Sequence, residues 1–361
     1  MAKKRILIIG PYPPPYTGWS TAIKEECELI RERNIDCKVL NIGMNRKTRS
    51  DEYIDVQNGI DLLLKLFWYS LKGFIFHLHA NGDSLKGIQI VFFAQIMNLI
   101  FLKHSSLTFH AGKEQEYFPD RGNVFLKILW FIIFNLSKLI ISNCDEVKEE
   151  ILQYKIDKTD VYAIPAFSSR RMNYERVQIE GEIEQFISTH RPVLFSYFAY
   201  RPEFVIDILL VVLKKIKNIY QNMGIVVVDD RSHYNTSVKN LVKDIIDRND
   251  LNSSILFLGN ISHDEFLAIL GKSDLFVRTH LRDGVCSSVL EALSLGIPVV
   301  AADNGYRPAS VITYEGCNKD DLFEKLRFAL ENIDKIKNNV VCENVTYEDN
   351  VKKLIDILEP N

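Results

Sequence analysis

The sequence lacks the marks of a disulfide scaffold, a metal cluster, a phosphate-binding fingerprint or a membrane span. Its six cysteines (Cys27, Cys37, Cys144, Cys286, Cys317, Cys342) fall into no C-x-x-C or Cys/His spacing, so reduced thiols in a cytoplasmic protein are expected. There is no D-x-D triplet, which removes the usual carboxylates of a metal-bridged diphosphate. Neither G-x-G-x-x-G nor a Walker loop follows the first apolar run. A balance of 44 basic against 47 acidic residues leaves no concentrated basic face and argues against nucleic acid. The greasiest stretches, 87–102 (interrupted by Gln89, Gln95 and Asn98) and 128–137, stop short of the ~18 apolar residues a spanning helix needs. Behind the basic start, Ile6-Leu7-Ile8-Ile9 is too short for a signal-peptide core and reads as a buried strand. The expected location is the cytoplasm, including the inner face of the membrane.

What is present is alternation. The length of 361 residues suits two domains at about 150 residues each. Short apolar runs predict strands at 5–9, 37–40, 74–79, 106–110 and 139–142, then at 193–197, 224–228, 254–258, 275–278 and 298–301. Helical periodicity separates them, as in 21–33, 205–220, 237–248 and 264–270, and 347–358 reads as an isolated helix. Strands of this kind, apolar on both faces, belong in parallel sheets covered by helices, which predicts an α/β chain of two doubly wound units. The stretch 166–191 breaks the rhythm and is expected to be the passage between them. In such sheets ligands sit beyond the carboxyl ends of strands.

After the first strand comes a stiff Gly10-Pro11-Tyr12-Pro13-Pro14-Pro15-Tyr16-Thr17-Gly18-Trp19-Ser20 loop. It either presents Gly18 and a helix N-terminus to an anion or is only a rigid connector. Phe76-His77-Leu78-His79 is expected to share a face only if the strand stops between the histidines. With no third ligand at metal spacing, packing or an acceptor pocket is favoured over a metal. His110 ends the next strand beside Ala111-Gly112, a ligand-facing position. The densest signal runs from His280 through Asp283-Gly284-Val285-Cys286-Ser287-Ser288 to Glu291-Ala292 and Gly296-Ile297-Pro298-Val299-Val300. An acid in a glycine-containing loop precedes a helix that carries a second acid. Backbone N–H groups there suit a diphosphate, and the acids suit sugar hydroxyls.

This arrangement resembles the retaining glycosyltransferases of family 4, the group 1 transferases of GT-B fold. The acid-x7-acid spacing and the E-A-x-x-x-G-x-P-V-V continuation match residues 283–300, with the 13–18 loop and His110 in support. Arg278-Thr279 and Tyr306-Arg307-Pro308 are similar to a subgroup met in bacterial polysaccharide assembly. The resemblance implies an N-terminal acceptor-side domain (1–166, with a returning helix at 346–361) and a C-terminal donor domain (167–345). It implies His110 and Asp283 at the transferred sugar and Glu291 on the donor ribose. Gly18, Gly284, Val285, Cys286, Ser287 and Ser288 would meet the diphosphate. Gly259, Asn260 and Ile261 would face the base, and Tyr16, Trp19 and His79 the acceptor.

Phe198 and Phe204 align where that family carries an Arg and a Lys, so Arg201, Arg278 and Arg282 are the candidates to meet diphosphate charge. The implied activity is metal-independent hexosyl transfer, with retention, from a nucleotide diphosphate sugar (UDP ahead of GDP) to a glycan or lipid-linked acceptor. No cofactor is implied. A non-catalytic sugar-nucleotide binder, an epimerase and a phosphorylase are the rivals. Trp19, Trp68 and Trp130 all lie in the first half, among apolar runs flanked by Lys65, Lys72, Lys86, Lys103, Lys127 and Lys138. Such a pattern suits either helices packed on a sheet or peripheral contact with a membrane.

Overall fold

The computed structural model describes residues 4–110, 115–156, 159–165, 167, 174, 177–231, 235–284, 286–342, 352, 353, 355 and 356. The chain divides into two compact units, Met1–Ser168 with Glu348–Asn361, and Ser169–Tyr347.

The first unit is built on six parallel strands: β1 (Arg5–Gly10), β2 (Asp36–Asn41), β3 (Ile75–Ala80), β4 (Ser105–Phe109), β5 (Ser137–Ser142) and β6 (Asp160–Ala163). Their order is β2-β1-β3-β4-β5-β6. In β1 every residue after Arg5 is buried, as the apolar run requires of a strand covered on both faces. Between strands lie α1 (Gly18–Glu32), α2 (Gly59–Leu71), α3 (Leu85–Ile100), α4 (Val124–Leu136) and α5 (Asp145–Leu152). The chain steps from β1 to β2 in one direction and from β2 onward in the other. Right-handed crossovers therefore put α1 on one face of the sheet and α2, α3 and α4 on the opposite face. Near the C-terminus, Ile355 packs into the core on the α1 side, and Asp356 pairs with Arg33 at 2.5 Å.

The second unit repeats the scheme with β7 (Val193–Ala199), β8 (Gly224–Asp230), β9 (Ile255–Phe257), β10 (Leu275–Arg278), β11 (Val299–Ala302) and β12 (Ile312–Tyr314). The order is β12-β11-β10-β7-β8-β9, all parallel. Its helices are α6 (Gly181–Thr189), α7 (Ile206–Ile219), α8 (Thr236–Arg248), α9 (His263–Gly271), α10 (Ser287–Ser294), α11 (Lys319–Glu331) and α12 (Ile333–Cys342). Two such doubly wound units agree with the α/β organisation expected from the sequence.

The passage expected at 166–191 holds a helix, α6, anchored by buried Ile183 and Ile187. Two local expectations are corrected. The first helix begins at Gly18 rather than Thr21, because Thr17 and Ser20 form a capping box that satisfies two of the free N–H groups at its start. Two edge strands, β6 and β12, were not anticipated from the apolar runs.

Candidate active site

Sheet order places a topological switch point in each unit, between β1 and β3 in the first and between β7 and β10 in the second. Strand ends diverge there and leave room for a ligand. Most of the residues singled out from the sequence follow the strands at these two places, while 259–261 follow the edge strand β9; each is described within its own unit.

At the first switch point, His77 and His79 lie on one continuous strand, β3, which runs on to Ala80. Alternation alone puts residues i and i+2 on the same face, so the strand need not stop between them. Both imidazoles are almost fully buried, which corrects the placement of His79 as a group open to an acceptor. A third ligating side chain does stand nearby: Glu26 of α1, buried, lies with His77 and His79 in a group whose ligand atoms fall within 4.8 Å of one another. Glu26 Oε1 is 3.1 Å from His77 Nε2 and Oε2 is 3.2 Å from His79 Nε2.

The other ring nitrogens have protein neighbours. His77 Nδ1 meets Ser106 Oγ at 2.7 Å, and Thr108 Oγ1 is 3.0 Å from His77 Nε2. His79 Nδ1 lies 2.8 Å from Nε2 of His110, whose ring also stacks on His79 and tilts against Trp19. The result is a chain from Glu26 through His79 to His110.

Electrostatics follow from burial. Desolvation would raise the Glu26 carboxyl, but His77 and His79 overcome it and hold it far below its ordinary range. Burial pushes His79 down, against the pull of Glu26, and pushes His110 down further with His79 beside it. At neutral pH the carboxylate is ionised and these two imidazoles are neutral. A neutral His79 that carries its proton on Nε2 would accept from His110 Nε2–H through Nδ1. In that tautomer Nδ1 of His110 is the acceptor. Gly18 is the first residue of α1, and Tyr16 is exposed beside it.

At the second switch point, Asp283 is held between two guanidiniums. Its Oδ2 accepts from Arg278 Nε at 2.8 Å and its Oδ1 from Arg307 Nη2 at 2.7 Å, with Asn304 Nδ2 at 3.1 Å from Oδ1. Burial would raise the Asp283 carboxyl, but Arg278 and Arg307 lower it to about 2. Burial with Arg278 alongside lowers His280 to about 3. Arg278, one of three arginines expected at the diphosphate, is almost fully buried. It also donates to the Tyr197 carbonyl and lies over the Tyr197 and Phe204 rings. Its charge is engaged within the unit.

Arg201 is half-exposed, paired with Glu203 at 3.1 Å and stacked on Phe204. Arg282 is exposed, with no ion pair among the described residues. Phe198 and Phe204 are core residues, which accounts for aromatics at those positions. Arg307 belongs to the Tyr306-Arg307-Pro308 motif, which by itself points to no role at the site. It lies behind the loop with its side chain 2% exposed, and it anchors the Ala302 and His280 carbonyls.

The loop then enters α10 through Cys286, whose side chain makes no capping bond to the helix. Among the described residues no side chain caps the first N–H groups of α10, a setting that favours an anion. Ser287 and Ser288 open the helix, and Ser288 Oγ lies 3.1 Å from Cys286 Sγ. Val285 lies outside the described residues. Glu291 is buried one turn further on, with Oε1 3.0 Å from His263 Nε2 of α9. Just before α9, Gly259 adopts φ +68° and donates its N–H to Asp229 Oδ1 at 2.8 Å. Asp229, buried at the end of β8, also accepts from Tyr200 and Arg231, tying together the ends of β7, β8 and β9. Asn260 is exposed and Ile261 half-buried next to this knot.

Comparison with known proteins agrees with this architecture. Residues 180–359 match the family model described as glycosyl transferases group 1. An uncharacterized glycosyltransferase of Methanocaldococcus jannaschii, MJ1069, is 23% identical over 279 residues, covering 72% of this chain and 68% of that protein. A glycosyltransferase from Rickettsia africae superposes with a TM-score of 0.73 at 16% identity, covering 99% of this chain and 98% of the other. Anabaena Alr3699/HepE in complex with UDP-glucose does so at 0.72 and 14% identity, covering 98% and 99%. The chain thus has the GT-B fold, and its residues 180–359 match the glycosyl transferases group 1 model.

Proposed function

We propose that this chain is a glycosyltransferase that moves a hexosyl group, with retention and without a metal, from a nucleotide diphosphate sugar to a glycan or lipid-linked acceptor in polysaccharide assembly. The observation that carries the reading is the 283–291 segment. An uncapped helix N-terminus suited to a diphosphate and a buried carboxylate one turn along suited to a ribose stand together at the switch point. UDP is favoured over GDP as the donor base, supported by the UDP-glucose complex of the Anabaena neighbour. Glu291 would accept from the ribose hydroxyls, and Gly284 to Ser288 would donate to the diphosphate. Arg282 and Arg201 would add exposed charge.

In the first unit, His110 would stand beside the transferred sugar. Its neutral state would let it accept a hydrogen bond at Nδ1 from a sugar hydroxyl without adding a charge. Residues aimed at the leaving diphosphate act where negative charge grows in the transition state.

A thermal-shift screen of UDP- and GDP-sugars, followed by nucleotide release in the presence of glycan and lipid-linked acceptors, tests the reading. Stabilisation by a UDP-sugar with acceptor-dependent release of UDP is expected. Binding without any release across the acceptors would make the chain a sugar-nucleotide binder. A change in the sugar without release would make it an epimerase.

A further inference from the structure

Large apolar side chains are left exposed very unevenly in this molecule. Among the described residues the second unit exposes Val211, Ile219, Leu241 and Phe328, and all the others belong to the first unit. Most of them sit on three neighbouring helices. On α2, Ile60, Leu63, Leu64, Phe67, Trp68 and Leu71 point outward, while Leu62, Leu66 and Ser70 are buried against the sheet. That outward spacing of three and four residues is a second apolar stripe, on the side of the helix where polar residues normally lie. On α4, Val124 (69% exposed), Phe125 (66%), Ile128 and Phe131 do the same. Between them, α3 and its end expose Phe93, Leu99, Ile100 and Leu102. Because α2, α3 and α4 share one face of the sheet, these stripes lie side by side. An exposed apolar face of that extent on a monomer marks an interaction surface.

Charge identifies the partner. Along the three helices the ionisable groups are Asp61, Lys65, Lys86 and Lys127. Lys65 is shared by Asp61 at 2.9 Å and Asp55 at 3.4 Å, so the unpaired charge on the three helices is that of Lys86 and Lys127, both exposed. Exposed Lys72 and Lys138 at the helix ends add to it, and Lys72 Nζ stands over the Trp68 ring at 4.6 Å. Two copies of this face brought together would set lysine against lysine with no spare acid on α2, α3 or α4. An anionic lipid surface answers both the apolar stripes and the lysine fringe, with Trp and Lys paired as they sit at a headgroup boundary. No helix among the described residues is long and apolar enough to cross a membrane.

We infer that the α2–α3–α4 face docks the chain on an anionic lipid surface. The inference does not depend on the glycosyl-transfer reading, and its assay does not use enzyme activity. The full chain is sedimented with vesicles of phosphatidylcholine alone and with about 30% phosphatidylserine, at about 20 mM and about 500 mM salt. Pelleting with anionic vesicles at low salt, weakened at high salt, is expected. Trp68, the exposed tryptophan, should shift its emission to the blue on binding, and Trp68→Phe should abolish that shift. Replacing Phe125 and Ile128 together by Glu should lower partition at least tenfold while the melting temperature is kept, because both side chains are exposed already. No pelleting with anionic vesicles at low salt, or partition unchanged by the double substitution, overturns the inference. Concentration-dependent dimerisation that the same substitutions abolish, without vesicle binding, overturns it in favour of a second copy.

Discussion

Replacing Asp283 by Asn should cost the fold more than an ordinary surface acid would. The carboxylate stands between the Arg278 and Arg307 guanidiniums, whose side chains are 6% and 2% exposed. Asparagine keeps the shape and removes the charge, leaving two buried cations facing each other without an anion. Breaking a buried pair from one side costs about 3–5 kcal/mol. The pH linkage gives an independent figure. A carboxyl lowered from 3.8 to about 2 contributes roughly 2–3 kcal/mol at 1.36 kcal/mol per pH unit. Because the folded-state value is depressed, this contribution is complete above about pH 4 and is lost as pH falls through about 2.

At about 2–4 °C per kcal/mol for a unit of this size, a loss of about 3–5 kcal/mol should drop the neutral-pH melting temperature by about 6–20 °C. Thermal unfolding followed by circular dichroism measures it for the wild type and Asp283→Asn from pH 7 down to pH 2.5. The gap between the two should narrow toward the acid end. A variant that melts within about 2 °C of the wild type at pH 7 refutes the structural role. That result would return Asp283 to the role expected from sequence, a side chain free to meet the sugar.

Glu291→Ala should weaken nucleotide binding about ten- to hundredfold, the scale of one charge-assisted hydrogen bond. Titration calorimetry with UDP measures it, and an unchanged dissociation constant removes the ribose assignment. Glu26→Gln deletes the charge that raises His79 against its burial, so His79 should titrate still lower, as read by NMR of the imidazole nitrogens. A rise would contradict the Glu26–His79–His110 chain. Gly259→Ala forces a β-carbon into φ +68° with the Arg231 guanidinium 3.2 Å away. It should destabilise by about 1–2 kcal/mol in urea unfolding, and a neutral effect would show that the Asp229 knot tolerates rearrangement.

Where information was contiguous in the chain, the sequence was legible. Runs such as Ile6–Ile9 and Val299–Ala302 are buried strands because nothing but a doubly covered sheet hides so many consecutive apolar residues. The 283–300 segment could be read because loop, helix and next strand follow one another directly. The edge strand β6 could not, since none of Asp160, Val161, Tyr162 and Ala163 is fully buried and no apolar run announces it.

The Glu26 cluster was hidden for a different reason. Its members lie on α1 and β3, brought together by the β1–β3 pairing, and no motif spacing spans that gap. Arg307 was hidden likewise. Its guanidinium reaches Asp283 only because β10 and β11 are neighbours.

The Arg278–Asp283–Arg307 triad also changes what the aromatic residues at 198 and 204 signify. Two guanidiniums and one carboxylate sum to a net charge of +1, and that charge sits inside the wall of the second unit. A cation fixed there need not reorient when negative charge appears on a ligand, and dissolved ions cannot gather around it as they would around an exposed arginine. The positive potential at the end of β10 is therefore a permanent property of the folded wall. An anion held against that wall would lose less of its attraction to added salt than one held by exposed side chains. A site whose charge rested on surface side chains would lose much of that attraction as salt is added.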